Sequence, residues 1–179
     1  TRISAGGDAL MYSTFLGGSK DDLGWALAMD RDGVATVVGW TIAGGSSFPT
    51  TSGAFDTTPS SSGDHDGFVA RLRLAGGGVT DLVYSTLLGG SRIDEAHGVA
   101  LTPAGEAIVT GYTSADDFPT TPGAYDTSPP GLYADVFLAR LSLEGRGADD
   151  LRYATYLGGM YPDFPGGVAV RVLPPSAEV

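Results

Sequence analysis

The stretch LVYSTLLGGSRID, residues 82–94, decides the fold because close copies of it occur twice more in the chain. It returns as LMYSTFLGGSKDD at residues 10–22 and as LRYATYLGGMYPD at residues 151–163. The glycine pairs of the three copies begin at positions 17, 89 and 158. Self-similarity at a nearly fixed period is typical of proteins built from repeated structural units.

Three other landmarks recur between the copies in the same order. VVGWT (37–41) matches IVTGYT (108–113), FPTTSGAFDT (48–57) matches FPTTPGAYDT (118–127), and GFVARLRL (67–74) matches VFLARLSL (136–143). We therefore divide the chain into the end of a preceding unit, two full repeats and a partial third: residues 1–9, 10–81, 82–150 and 151–179.

Each full repeat has the pattern of four short β-strands. Met11 to Leu16 is rich in aromatic and aliphatic residues, and a glycine pair ends it where positive φ costs little. Asp32-Gly33 is a hairpin signal between the second and third strands. In the fourth strand, apolar and small residues alternate with Val69, Arg71 and Arg73. The sequence thus predicts an all-β fold of tandem four-stranded antiparallel sheets.

The connection between the third and fourth strands is too long for a structureless loop, and its repetition predicts that it is folded. A proline follows Phe48 and again Phe118, and it holds the residue before it extended. Thr121-Pro122 has the pattern of a helix N-cap followed by proline at the first helical position. We expect one helical turn from Pro122 to Tyr125, with Phe118 and Tyr125 packed against the sheet edge.

These motifs together resemble the bacterial SBBP repeat, a family regarded as forming β-propellers. The resemblance covers essentially the whole chain, although residues 160–162 depart from the usual Gly-Ser segment in the third copy. It implies four-stranded blades, and hence a partial β-propeller of about two and a half blades. It also implies a large bacterial protein located extracellularly, at the cell surface or in the periplasm, with no shared catalytic residues.

Closed propellers have about 4–8 blades, more than this chain supplies. Residues 2–4 align with the end of a fourth strand, and Gly167 to Leu173 align with a second strand. We therefore expect a segment or subunit of a larger assembly. Its partners would be other protein chains or missing blades of the same protein, because an open stack leaves apolar faces bare.

The composition excludes several classes of partner and site. The net charge is −11, from 21 acidic and 10 basic residues, and Lys20 is the only lysine. Nucleic acids and anionic lipid surfaces are bound by clusters of Lys and Arg, so neither is an expected partner, whereas a basic partner surface would fit. The absence of cysteine excludes disulfides and zinc–thiolate sites. No apolar run approaches the roughly 18 residues of a transmembrane segment.

Carboxylates follow each glycine pair, at Asp21-Asp22, Asp94-Glu95 and Asp163. Calcium binds clustered carboxylates in loops, but none of these turns has the alternating Asp-x-Asp-x-Asp-Gly spacing. We predict that these side chains cap backbone amides of the turns. No cofactor or metal is predicted, and a structural Ca²⁺ is the alternative.

Asp64-His65-Asp66 places a histidine between two carboxylates, as a metal site could. It follows the Ser/Gly-rich residues 60–63, and the second repeat replaces it with residues 132–135. We interpret His65 as an exposed loop residue and His97 as a strand residue near a sheet surface. Nucleophile and triad motifs are absent, so no catalytic, cofactor-binding or metal residue is assigned.

Three functions remain open from the sequence. The first is a non-catalytic scaffold or interaction module, because no repeat stands out as a catalytic one. The second is a module that binds carbohydrate or another small ligand on the aromatic side chains Trp25, Trp40, Tyr112 and Tyr133. The third is a glycoside-active propeller enzyme with two carboxylates.

Overall fold

The structure is a computed structural model that describes residues 1–43, 47–60, 63–129 and 131–171. Within these ranges the chain forms β-strands and two short 3₁₀ turns, Gly78–Asp81 and Gly147–Asp150. No helix in the described part of the chain is long and apolar enough to span a membrane. The strands are β1 (Arg2–Ile3), β2 (Leu10–Tyr12), β3 (Asp22–Met29), β4 (Val34–Ile42), β5 (His65–Arg73), β6 (Leu82–Leu88), β7 (Asp94–Leu101), β8 (Ala107–Thr113), β9 (Asp135–Leu141) and β10 (Leu151–Leu157).

The strands form two four-stranded sheets and one small ribbon. The first sheet has the order β3-β4-β5-β6, the second has the order β7-β8-β9-β10, and β1 pairs with β2. Every pairing is antiparallel, and both larger sheets are open meanders. The predicted all-β fold of four-stranded antiparallel sheets is therefore confirmed. The last strand of each sheet comes from the repeat that follows it in the sequence.

Two strand predictions are wrong, because one strand is shorter than expected and the other is absent from the described residues. The strand expected from Met11 to Leu16 ends at Tyr12, because its only partner is the two-residue strand β1. The second strand expected for the third repeat, residues 167–173, is absent from the described residues up to 171. No neighbouring strand pairs with that segment there. Residues 172 and 173 of this segment lie outside the described part of the chain.

The two sheets pack face to face through one hydrophobic core. Strand β7 lies across β3, β4 and β5 of the first sheet. Val38 and Val69 of the first sheet are fully buried in the same cluster as Val109 and Phe137 of the second. A second, smaller cluster around Phe68 covers part of the opposite face of the first sheet. Each sheet therefore has apolar residues on both faces, as the strand patterns predict.

The long connections are folded, but not as helices. Phe48 stacks on Phe68 with 4.5 Å between ring centroids, and Phe118 stacks on Phe137 at the same separation. The helical turn predicted from Pro122 to Tyr125 is wrong. The N–H of Ala124 instead donates to the Thr121 carbonyl at 3.1 Å, which closes a β-turn.

The shape of that β-turn comes from its glycine. Gly123 has φ of +78°, a conformation that favours a tight turn over a helix. The turn directs Tyr125 outward, and its side chain is 82% exposed rather than packed on the sheet edge.

The Tyr-Ser/Ala-Thr motif anchors these connections to the last strand of each sheet. The Thr86 hydroxyl accepts a hydrogen bond from the Asp56 N–H at 2.8 Å, and the Tyr84 hydroxyl accepts one from the Phe55 N–H at 3.2 Å. Thr155 and Tyr153 make the equivalent bonds in the second sheet at 2.8 and 3.1 Å. The repeated motif thus has a structural role in holding each connection on its sheet.

Candidate functional site: a histidine, glutamate and aromatic cluster

One group of side chains joins the two sheets at the ends of five strands, and we call it the His–Glu cluster. It contains both histidines and both tryptophans of the chain. Two of its members, Trp25 and His97, occupy equivalent positions at β-bulges in β3 and β7. A bulge redirects a side chain from the regular alternation of its strand. The members are Trp25, Trp40, His65, Glu95, His97 and Tyr112.

Glu95 is the centre of this cluster. One carboxylate oxygen, Oε1, lies 2.7 Å from Nδ1 of His65, and the other, Oε2, lies 3.0 Å from Nε2 of His97. His65 begins β5 in the first sheet, whereas Glu95 and His97 are on β7 in the second. The carboxylate therefore links the two sheets while using both of its oxygens.

The aromatic rings stack around the two imidazoles. Trp40 lies parallel to His65, with 3.8 Å between centroids and 5° between planes. Trp25 lies 4.6 Å from His97, and Tyr112 meets His97 edge to face at 5.4 Å. Trp25 is nevertheless 51% exposed. The cluster thus combines a closed polar centre with one open indole surface.

Two opposing effects act on the charge of Glu95. Burial of the carboxyl favours its neutral form, but hydrogen bonds from His97, His65 and Tyr112 favour the anion and hold the pKa of Glu95 below its usual value. The same environment raises the pKa of the Tyr112 hydroxyl, through burial and through the adjacent Glu95 carboxylate. At neutral pH the cluster therefore holds a buried anion between two imidazoles.

Replacing Glu95 by glutamine should destabilise the protein at neutral pH. Because the folded-state pKa of Glu95 is lowered, its contribution is present above the unfolded-state pKa of about 4.3 and is lost as the pH falls through the folded-state value. We expect Glu95→Gln to reduce the free energy of unfolding by about 1.5–3 kcal/mol at pH 7, the usual range for hydrogen bonds to charged groups.

Urea unfolding of wild type and Glu95→Gln at pH 7 and pH 3 measures this difference. The control is Glu144→Gln, whose side chain is 47% exposed and pairs with surface arginines. A Glu95→Gln effect that is the same at both pH values would contradict the assignment of an ionised Glu95.

Part of this cluster was predicted from the sequence. Three of the four aromatic residues predicted as ligand platforms belong to it. The fourth, Tyr133, lies apart and faces Tyr161 at 6.3 Å. His97 is a strand residue, as predicted, but the interpretation of His65 as an exposed loop residue is wrong. His65 begins β5, and only 31% of its side chain is exposed because Trp40 and Glu95 cover it.

The carboxylates after the glycine pairs act as the predicted caps. The second glycine of each pair donates its N–H to an aspartate: Gly18 to Asp22 at 2.7 Å, Gly90 to Asp94 at 2.7 Å and Gly159 to Asp163 at 2.9 Å. These three equivalent bonds explain why Asp recurs at this position. Glu95, next in sequence to one of these caps, has the different role described above.

Asp94 differs from its counterparts because it is fully buried. Burial raises the pKa of Asp94 to about 7, against hydrogen bonds from Thr113 and the Gly90 N–H and with repulsion from Asp66 and Asp117. Asp66 is also buried, accepts the Ser60 N–H at 2.8 Å, and has a raised pKa for the same leading reason. The junction of the sheets therefore contains two carboxyls whose pKa is raised by burial.

Metal ligands do not converge in the described part of the chain. Within those ranges, no group of three or more His, Asp or Glu side chains is arranged to hold a metal ion. In the His–Glu cluster, the two imidazoles contact different oxygens of one carboxylate.

No protein-family model matches the chain, and no curated protein matches it.

Proposed function

We propose that this chain is a non-catalytic scaffold and interaction module made of SBBP-type β-propeller blades. We propose further that it is a segment or subunit of a larger bacterial assembly in the cell envelope or outside the cell. The partner of its bare sheet face would be another four-stranded sheet of the same kind, in this protein or in a second chain. The packing of its own two sheets supports this proposal.

The observation that carries the proposal is a difference in burial between equivalent positions of β7 and β3. Val99 and Leu101 of β7 pack into the core between the sheets. Their counterparts on β3, Leu27 and Met29, are 57% and 51% exposed. Burying one such side chain fully contributes about 1.5–3 kcal/mol. On this face the first sheet thus has apolar residues equivalent to those that the second sheet buries between the sheets. The described residues leave this face largely uncovered.

The outer face of the second sheet is also open, and it is equivalent to the face that the first sheet buries in the core between the sheets. Val69 is fully buried between the sheets, whereas its counterpart Leu138 on β9 is only half-buried. The two open faces therefore correspond to the two halves of the interface that the sheets already make with each other. Contacts of this head-to-tail kind close into rings or extend into filaments.

The oligomeric state in solution tests this function. We expect the chain to self-associate as its concentration rises, measured by light scattering after size-exclusion chromatography. Leu27→Glu should weaken the association about tenfold or more, because it places an unpaired charge in the contact.

Leu132→Glu is the matched control, because Leu132 is 95% exposed and belongs to neither sheet. A chain that stays monomeric at every concentration would contradict the proposal. Equal weakening by the two substitutions would contradict it as well.

A second candidate function is the binding of carbohydrate or another small ligand. The exposed indole of Trp25 beside His97 favours it, since sugars stack on such surfaces. Tryptophan fluorescence titrated with a panel of glycans measures binding, and Trp25→Ala should abolish the response. Tyr125→Ala is the control, because Tyr125 is 82% exposed and is not in the His–Glu cluster. No response across the panel would remove this candidate.

A further inference from the structure

A cleft lies at the opposite ends of the strands from the His–Glu cluster. The β3–β4 turn and the β7–β8 turn flank it, and Arg71 of β5 contributes to its wall. Its volume is about 440 Å³, within the range of about 300–1,000 Å³ that is usual for small-molecule sites. Met29, Leu101 and Pro103 add apolar surface. We call it the arginine cleft.

Positive charge is concentrated around the arginine cleft although the protein is acidic. Arg2, Arg31 and Arg73 line an adjoining cleft that shares Met29, Arg31 and Asp32 with it. These arginines form no ion pair among the described residues, whereas five of the chain's ten basic residues do. Acidic residues outnumber basic ones two to one, so unpaired arginines at one place require an explanation.

Arg71 differs from its counterpart in the second repeat. Arg140 donates both Nε and Nη2 to Glu106, at 3.0 and 2.6 Å. Val34 replaces that glutamate in the first repeat, and Arg71 pairs instead with Asp30. The buried Nε of Arg71 is left without a hydrogen-bond partner. The first repeat therefore lacks the carboxylate that accepts two hydrogen bonds from the equivalent arginine in the second repeat.

The excess of positive charge comes from the adjoining cleft, because the arginine cleft itself is lined by Arg31 and Arg71 together with Asp30 and Asp32. Asp30 uses Oδ2 for Arg71, and its Oδ1 accepts the N–H groups of Asp32 and Val34 at 3.0 and 2.9 Å. Asp30 thus stabilises the β3–β4 turn and orients the Arg71 guanidinium. With Asp32 as the other acid, four arginines face two aspartates around the two clefts.

We propose that the arginine cleft binds a small organic oxyanion, a carboxylate or phosphate on a body about the size of a monosaccharide. Guanidinium groups match both anions with paired hydrogen bonds, and the apolar wall suits the carbon skeleton. This site meets the bare sheet face only at Met29 and is separate from the Trp25 surface. Its test measures anion binding and not association, so its outcome is distinguishable from theirs.

Calorimetric titration with D-galacturonate and D-glucose 6-phosphate tests the site and distinguishes the two anion sources, and D-glucose is the uncharged probe. We expect one or both anions to bind, with affinity that falls as salt rises, and no binding of glucose. The double substitution Arg31→Ala with Arg73→Ala should weaken anion binding about tenfold or more. Both side chains are exposed, so folding should persist, as circular dichroism would verify.

The matched control is Arg92→Ala with Arg146→Ala, which removes the same charge from side chains that are 53% and 59% exposed and that line neither cleft. It should leave the affinity within about twofold of the wild type. The site is disproved if neither anion binds, if glucose binds equally well, or if the two double variants lose affinity to the same extent.

Discussion

Replacing Gly39 by alanine is expected to abolish the folded state, the largest effect that we predict. A Cβ at Gly39 would overlap the carbonyl oxygen of Leu23 on the neighbouring strand. The bulge in β3 brings that backbone close, and a carbonyl held in a sheet cannot move aside as a side-chain end can. We expect a loss of more than about 4 kcal/mol in the free energy of unfolding, or no soluble folded protein.

Gly24→Ala is the control for this prediction, since Gly24 pairs with Gly39 in the same hairpin. A Cβ there would meet only Val37 at 3.6 Å, an ordinary contact. We expect Gly24→Ala to change the free energy of unfolding by less than about 1 kcal/mol. Similar urea unfolding midpoints for the two variants would show that the close approach of β3 to β4 is wrong.

Asp94→Asn is expected to stabilise the protein at alkaline pH and to flatten its dependence on pH. The pKa of Asp94 is raised to about 7 in the folded state, from about 3.9 when unfolded. The folded state therefore holds the proton more tightly, and the stabilisation is complete below pH 4 and lost as the pH rises through 7. The loss is of the order of 4 kcal/mol at pH 8.

The measurement is urea unfolding of wild type and Asp94→Asn at intervals from pH 5 to pH 8. Asparagine keeps an oxygen that can accept the Gly90 N–H, so the turn should survive. Asp163→Asn is the control, because Asp163 caps Gly159 in the same way but is only half-buried. An Asp94→Asn variant that is less stable than wild type at pH 8 would refute the raised pKa of Asp94 in the folded state.

The fold could be predicted to the extent that it depends on local patterns. Alternation along residues 67–74 predicts most of β5, and the Asp32-Gly33 hairpin predicts the turn between β3 and β4. The prediction failed for the strand after Met11, because strand formation also needs a partner of sufficient length. It failed at Pro122, where the positive φ of Gly123 outweighed the helix N-cap pattern.

The His–Glu cluster could not be predicted from the sequence. His65 and Glu95 are thirty positions apart in different repeats, and their 2.7 Å contact depends on how one sheet crosses the other. No spacing rule links these residues. The bulges that redirect Trp25 and His97 carry no sequence signal beyond the glycines opposite them.

The amino-acid sequence by itself determined the repeat, the antiparallel strands and the aspartate caps of the glycine pairs. The strands and the caps depend on neighbours within a few residues, through the two-residue alternation of a strand and the hydrogen bonds of a turn. Only the tertiary structure decided that Glu95 bridges two histidines, that Leu27 stays exposed where Val99 is covered, and that Arg71 lacks a second acceptor. These properties arise where one sheet lies on another, and there twist, bulges and register determine which distant side chains meet.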